Sequence, residues 1–209
     1  MEKINYQKKL DEIISSFSGH TPKPGLMLHS CCGPCSSYCL EYLKDHFDIT
    51  VFYYNPNIYP SEEYEHRLAE QKRLIDEMNR HADCSIKLMT VPYDHQEFLE
   101  FVKGLEEEKE GGARCSKCFE LRLAKTAEAA AEAGMDYFGT TLTVSPHKNA
   151  ILINRIGGEI TDREDSLAEL KWLPSDFKKN DGYKRSIELS KEYELYRQNY
   201  CGCEFSIWF

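Results

Sequence analysis

The stretch LHSCCGPCSS, from Leu28 to Ser37, places three cysteines within five residues directly after an apolar run. The run GLMLHS, which ends inside this stretch, has the short apolar pattern of a buried strand. A helix is predicted from Cys35 to Lys44, because Pro34 suits the first turn of a helix. The cysteines therefore occupy a strand-to-helix turn, where other sheets of this kind keep glycines that bind phosphate.

The rest of the chain repeats this alternation of strand and helix. Three more strands are predicted from the β-branched and aromatic runs DITVFYYNP, IKLMTVPY and MDYFGTTLT. Further helices are predicted over residues 1–18, from Ser61 onward, up to Phe101, and along CFELRLAKTAEAAAEAG. This alternation indicates an α/β fold, a parallel sheet with helices on its faces. We expect a single domain, residues 1–209, with the α/β core over 24–145 and a helical cap over 146–209.

The composition limits the class of protein. Hydrophobic residues make up 41% of the chain and charged residues 29%, and no apolar run is long enough to span a membrane. The N-terminal stretch MEKINYQKKLDEII alternates charges and lacks the apolar core of a signal peptide, which predicts a cytoplasmic protein. In that reducing compartment, nine cysteines are more often metal ligands or redox groups than disulfide staples.

Three motifs follow predicted strands, at the edge where open parallel sheets bind ligands. HSCCGPC follows the first strand, YYNPNIYP the second and TTLTVSPHKN the fourth. A second cysteine pair, Cys115 and Cys118, opens a helix, whose positive end stabilises thiolates. With Cys31 and Cys32, this pair would make a four-thiolate site that suits zinc or an iron–sulfur cluster, and the spacing does not separate these metals.

Cys201 and Cys203 form a third cluster, with one glycine between them. A disulfide closing so small a ring would be strained and easily reduced, which suits an electron relay; the alternative is two further metal ligands. Cys35 either joins the metal site or caps its helix, and Cys39 and Cys84 are interpreted as ordinary buried thiols. Several side chains near these turns could handle protons, each a weak signal when taken alone: His29, Tyr59, Asp94, His147 and Tyr183.

The charge distribution bears on nucleic-acid binding. A net charge of −9 argues against a general nucleic-acid coat but allows a local basic patch. One segment qualifies, KWLPSDFKKNDGYKRS, from Lys171 to Ser186. On charge alone a solvated loop is the favoured interpretation, and an RNA contact is the alternative. The basic residues of this segment are Lys171, Lys178, Lys179, Lys184 and Arg185.

Four of these motifs together resemble a known family. CCGPC, EGGARCSKCFELRL, TTLTVSPHKN and DFKKNDGYKRSIELSKEYELYRQNYCGC are similar to the motifs of epoxyqueuosine reductases of the QueH type, in the same order. The resemblance covers the chain from about Leu26 to Cys203. It implies a HUP-type (Rossmann-like) α/β fold and the last step of queuosine synthesis, in which an epoxide on a tRNA wobble nucleoside is reduced to an alkene.

The resemblance also implies roles for particular residues. Cys201 and Cys203 would form a redox-active pair, and Cys35 is the candidate ligand of an additional mononuclear iron. The basic patch would dock the anticodon arm of tRNA, and the electron donor is left unspecified. The implied ligands of a [4Fe–4S] cluster are Cys31, Cys32, Cys115 and Cys118. The implied RNA contacts are Lys178, Lys179, Lys184 and Arg185.

Two other functions compete with this one. An ATP-dependent RNA-thiolating enzyme with a cluster would need a Gly/Ser-rich phosphate loop after the first strand, but HSCCGPCSS has one glycine and a proline there. The second is a zinc-stabilised interaction module without enzymatic activity. No G-x-G-x-x-G fingerprint occurs in the sequence, so we expect no nicotinamide or flavin.

Overall fold

The computed structural model describes residues 4–17, 19, 21–81, 84–163, 167 and 169–206. Within this part of the chain, five parallel strands form one sheet in the order β3-β2-β1-β4-β5. The strands are β1 (Gly25–His29), β2 (Asp48–Tyr53), β3 (Lys87–Thr90), β4 (Tyr137–Thr140) and β5 (Lys171–Trp172). The order reverses between β1 and β4, so the switch point of this Rossmann-like sheet lies at their carboxyl ends.

Helices cover both faces of the sheet. The described helices are α1 (Tyr6–Ser16), α2 (Gly33–Leu43), α3 (Ser61–His81), α4 (His95–Phe101), α5 (Ala113–Glu132), α6 (Ala150–Arg163) and α7 (Gly182–Glu192). Successive side chains of β1 point to opposite faces: Leu26 and Leu28 pack with α1, α2, α3 and α7, whereas Met27 packs with α5 and α6. This double cover explains why β1 reads as an almost continuous apolar run. Two short 3-10 turns, Thr141–Val144 and Glu204–Ser206, complete the described elements.

The predicted α/β class with a parallel sheet is confirmed, and α6 and α7 form in the segment that was predicted as a helical cap. That segment also contains a strand that the sequence pattern did not reveal. β5 pairs with β4, with Tyr137 opposite Lys171 and Phe138 opposite Trp172, so the sheet extends beyond residue 145. Two residues are too few to show a strand period, and what places them is packing, because the Trp172 ring lies directly against Gly157 of α6. No helix in the described ranges is long and apolar enough to cross a membrane.

Candidate functional site

The turn between β1 and α2 gathers three thiols. The Sγ atoms of Cys31, Cys32 and Cys35 all lie within 4.8 Å of one another, and those of Cys31 and Cys32 are 3.8 Å apart. Cys32 is the N-cap of α2, and its Sγ accepts a hydrogen bond of 2.9 Å from Nε2 of Gln198 in the C-terminal tail. Hydrogen bonds shared with Cys32 and Cys35 lower the pKa of Cys31 well below its usual value, so Cys31 is the thiol of this triad that loses its proton most readily. Such a group of sulfurs can bind a metal ion.

A second group of thiols faces this triad from α5. Cys115 lies in the first turn of the helix, and its Sγ accepts a hydrogen bond of 3.1 Å from the backbone N–H of Gly111. Cys118 follows one turn later and is buried. Burial raises the pKa of the Cys118 thiol to about 12, and the nearby charge of Arg122 opposes that rise. α5 thus carries two thiols in its first two turns and the cation Arg122 one turn further along the same face.

Two adjoining cavities bring all three cysteine clusters together. A larger cavity of about 320 Å³ is lined by Cys31, Cys35 and Cys201, among others. A smaller cavity of about 70 Å³ is lined by Cys115, Cys118, Cys201 and Cys203. The two cavities share four wall residues, so Cys201 borders both. The shared wall residues are Glu110, His147, Lys148 and Cys201.

Arg122 and Lys148 are two of the cations near these thiols, and Arg114 also lines the smaller cavity. Arg122 is 1% exposed; its Nη1 donates to Oδ1 of Asn57 at 2.9 Å, while its Nε and Nη2 have no hydrogen-bond partner among the described residues. Lys148, between the two cavities, is half-buried. Although burial favours its neutral amine, the nearby sulfurs of Cys201 and Cys31 raise the pKa of Lys148 above its usual value. Both Arg122 and Lys148 favour the thiolate forms of the nearby cysteines and so oppose the burial that favours the thiols.

The tail that carries Cys201 and Cys203 is held in place by α3. Arg67, 1% exposed, pairs with Glu63 at 2.6 Å and donates to the carbonyl oxygens of Tyr200 at 3.4 Å and Cys201 at 3.2 Å. The backbone N–H of Tyr59 donates to the carbonyl oxygen of Gly202 at 2.8 Å. A second clamp joins His95 Nε2 to Glu204 Oε1 at 2.7 Å. These contacts hold the Cys201–Cys203 segment against the smaller cavity.

Gly202 is required for that approach. Its φ of +104° lies in the left-handed region, and a Cβ there would lie 3.0 Å from Nη1 of Arg67. A larger residue between the two cysteines would therefore push the tail away from α3.

Comparison with known proteins identifies the family. A sequence profile described as "Epoxyqueuosine reductase QueH" matches residues 26–208. The chain belongs to the epoxyqueuosine reductase QueH family. The QueH proteins of Staphylococcus epidermidis and Staphylococcus aureus are 46% and 44% identical to it, each over 98% of this chain and 85% of the relative. QueH of Streptococcus pyogenes is 43% identical, over 98% of this chain and 79% of the relative.

The resemblance drawn from the motifs is thus confirmed: the chain is an oxidoreductase that reduces epoxyqueuosine in queuosine biosynthesis. A solved phosphoadenylyl-sulfate reductase from Candida auris aligns over 93% of this chain and 90% of that chain, at 10% identity and a TM-score of 0.38. At that identity the likeness says nothing about activity.

In this QueH protein the predicted cysteines form two neighbouring groups around the adjoining cavities. Cys35 lies with Cys31 and Cys32 in the triad, and no other thiol of the described residues joins them within 4.8 Å. The α5 pair lies instead beside the tail cysteines, across the adjoining cavities. Cys39 is fully buried in α2 and Cys84 is half-buried before β3.

Two of the four predicted RNA contacts in the basic segment of this QueH protein form ion pairs within the described part of the protein, and two do not. Lys178 pairs with Asp176 at 2.6 Å, and Arg185 pairs with Glu41 and Glu192, each at 2.7 Å. The other two predicted RNA contacts, Lys179 and Lys184, are exposed and make no ion pair within the described ranges. These two side chains are the ones that phosphate groups can reach without breaking an internal pair.

The candidate proton-handling residues differ in whether they reach the cavities. His29 is fully buried between Thr140 Oγ1 and the Tyr54 carbonyl, and burial lowers its pKa to about 3, so it is a neutral structural histidine. Asp94 caps α4, and Tyr59 stacks on His95. His147 and Tyr183 line the larger cavity.

Sequence reasoning missed Lys148 and Arg122. The first lies inside a motif that was singled out, and the second is four residues after Cys118, on the same face of its helix. That helical spacing was the available signal for Arg122.

Proposed function

We propose that the chain reduces the epoxide of epoxyqueuosine within tRNA, using a thiolate-held iron–sulfur cofactor and the Cys201–Cys203 pair as an electron relay. The observation that carries this proposal is the meeting of three cysteine clusters around two adjoining cavities at the switch point of the sheet. An ordinary structural metal site would need only one such cluster and no cavity beside it.

The thiols and cations present fit an anionic cluster. The proposed [4Fe–4S] ligands are Cys31, Cys32, Cys115 and Cys118, and Cys35 would serve the additional mononuclear iron. The fully buried, incompletely paired guanidinium of Arg122 supports this assignment, because a buried cation needs a negative partner. When bound, the cluster would supply electrons one at a time to an epoxide that takes up two electrons and two protons and releases water.

The larger cavity is the proposed substrate pocket. Its volume of about 320 Å³ is in the range of small-molecule sites. Tyr183 and Tyr200 line it and offer rings on which a base extruded from an RNA loop can stack. The ammonium group of Lys148, on the same wall, is placed to donate a hydrogen bond to the epoxide oxygen as that oxygen becomes the leaving group.

The tail cysteines are proposed as the relay because Cys201 borders both cavities and Cys203 borders the smaller one. A Cys203→Ser variant should keep its iron and lose multiple turnover with a thiol reductant, while retaining a single turnover once the cluster is reduced chemically. Loss of iron in this variant would instead make Cys203 a metal ligand, and full multiple turnover would remove it from the electron path.

Anaerobic purification with iron and sulfide analysis tests the cofactor. We expect about four iron and four sulfide atoms per chain from the cluster, and about one further iron when the Cys35 site is filled. Cys118→Ala should lose most of this iron, whereas the matched control Cys84→Ala, which changes a half-buried thiol beyond the cavities, should keep it. A colourless protein with one zinc per chain would refute the cluster. We also propose the cytoplasm as the compartment, since such thiolates require reducing conditions.

The proposed docking surface for the anticodon arm lies beside the larger cavity. Tyr183 and Ser186 of α7 line that cavity, and exposed Lys184 lies between them in the sequence, with exposed Lys179 just before the helix. Phosphates bound there would bring the loop of the arm to the pocket. Lys178 and Arg185 would support this surface through their internal ion pairs.

Salt-dependent binding tests this surface. A Lys179→Ala/Lys184→Ala double variant should bind modified tRNA less tightly, with a salt slope lower by about two, one for each phosphate contact removed. The matched control is Lys9→Ala/Lys72→Ala, which removes two exposed lysines of α1 and α3. Equal affinity and slope in both double variants would contradict the docking surface.

A further inference from the structure

Arg122 is a fully buried cation of the site with no carboxylate partner among the described residues. Two other arginines of the described chain are as deeply buried: Arg67 has the carboxylate of Glu63 at 2.6 Å, and Nη1 of Arg114 donates to three backbone carbonyl oxygens. Arg122 has only the amide oxygen of Asn57, and two of its three nitrogens find no acceptor among the described residues. An isolated buried charge costs several kcal/mol, so its presence calls for an anion that the polypeptide itself does not provide.

The surroundings of Arg122 show where that anion sits. Its position on α5, four residues after Cys118 and seven after Cys115, places it on the same helical face as both thiols. Burial disfavours the charge of Arg122, but nearby thiols, first that of Cys118 and then that of Cys31, raise its pKa above the usual value. Its hydrogen bond to Asn57, in the turn after β2, keeps the guanidinium at the carboxyl edge of the sheet, where the β1–α2 turn also lies. Arginine keeps its charge at any working pH, so it cannot escape the cost by losing a proton.

We propose that Arg122 is the counter-charge of the thiolate-bound metal centre, raising its reduction potential and coupling its binding to folding. This inference rests on the proposed cofactor. Thiolate ligands give such a centre a net negative charge, and one-electron reduction makes it more negative. A buried positive charge nearby stabilises the reduced form more than the oxidised form, because electrostatic interactions are strong in a medium of low dielectric constant. Arg122 is a positioning residue that acts through the metal centre rather than on the substrate.

Three variants test the role of the charge. Arg122→Met removes the charge with similar volume, Arg122→Lys restores it without the planar fork, and Asn57→Ala leaves it in place but deletes its hydrogen bond. The potential of the loaded protein is measured by EPR-monitored redox titration. Arg122→Met should lower the reduction potential by about 59 mV or more, which is a tenfold change in the equilibrium constant for one-electron reduction. The other two variants should change that constant by less than about threefold. A change of less than about threefold in this constant for Arg122→Met would overturn the proposal. So would a fall in potential in Asn57→Ala as large as that in Arg122→Met.

The melting temperatures of the metal-free and loaded proteins give a second readout. Without metal, Arg122→Met should melt at or above the wild-type temperature, because it removes an unpaired buried charge. Loading should then raise the melting temperature less in Arg122→Met than in wild type, because binding no longer neutralises that charge. A side chain that only packed would lower both melting temperatures equally, and that result would refute the coupling.

Failure of the proposed cofactor is distinguishable from failure of this inference. If the wild-type protein binds no iron and sulfide, the cluster is wrong, and the same variants are titrated with Zn²⁺ in competition with a chelator. A zinc affinity at least about tenfold weaker in Arg122→Met than in Arg122→Lys would still support the counter-charge. Equal zinc affinities in the two variants would overturn it.

Discussion

Arg67→Met should release the tail that carries the proposed relay. Arg67 is 1% exposed, and its partner Glu63 is 12% exposed. Removing one partner of a buried ion pair costs about 3–5 kcal/mol, because the other charge remains buried. Glu63 keeps a hydrogen bond of 3.1 Å from the hydroxyl of Tyr196, so we expect the lower end, about 3 kcal/mol. For a chain of this size that corresponds to a fall of roughly 6–12 °C in melting temperature.

Arg73→Met is the matched control on the same helix. Arg73 is 37% exposed and pairs with Glu70 at 3.0 Å, so its loss should cost about 1 kcal/mol or less. Both variants are analysed by thermal unfolding and by alkylation under native conditions, with the modified cysteines quantified by mass spectrometry. Only Arg67→Met should speed alkylation of Cys201 and Cys203, since it removes the donors to the carbonyl oxygens of Tyr200 and Cys201. Equal melting temperatures and equal alkylation rates in the two variants would refute the clamp.

Three other perturbations test the packing, an ion pair and the metal. Gly157→Ala should destabilise the fold by about 1–3 kcal/mol, because its Cβ would lie 2.3 Å from the Trp172 ring. The control Gly158→Ala meets nothing within 4 Å and should stabilise α6. Urea unfolding measures both changes. The hydrogen bond from Arg73 holds the pKa of Glu70 below its usual 4.5, so the stability that this pair contributes is present above that pH and is lost as the pH falls through the lowered pKa. Glu70→Gln should therefore flatten the acid side of the profile of stability against pH. An equally steep profile in the variant would contradict this. Chelation of the metal should lower the melting temperature of the loaded protein, and no change would argue against coupling of metal binding to folding.

The α/β class and the position of the site were accessible from local sequence patterns. Apolar runs and helix-start signals depend on neighbouring residues, so β1, the cysteine turn and the start of α5 could each be located without a structure. The edge to which they converge follows from a general property of parallel sheets. β5 was not predicted, because a strand of two residues is too short to show an alternating pattern. Its position depends on the contact of Trp172 with Gly157.

Which groups meet within the site was decided by the tertiary structure. Lys178 and Arg185 read as free basic residues, yet Arg185 pairs with Glu41, 144 positions away in the chain, and Lys178 with Asp176. The grouping of Cys35 with Cys31 and Cys32 likewise depends on side-chain directions at a turn. The Arg185–Glu41 pair joins two helices that only packing brings together, so no local pattern encodes it. The Lys178–Asp176 pair and the cysteine triad lie within short stretches, but they depend on side-chain directions that the sequence pattern does not show.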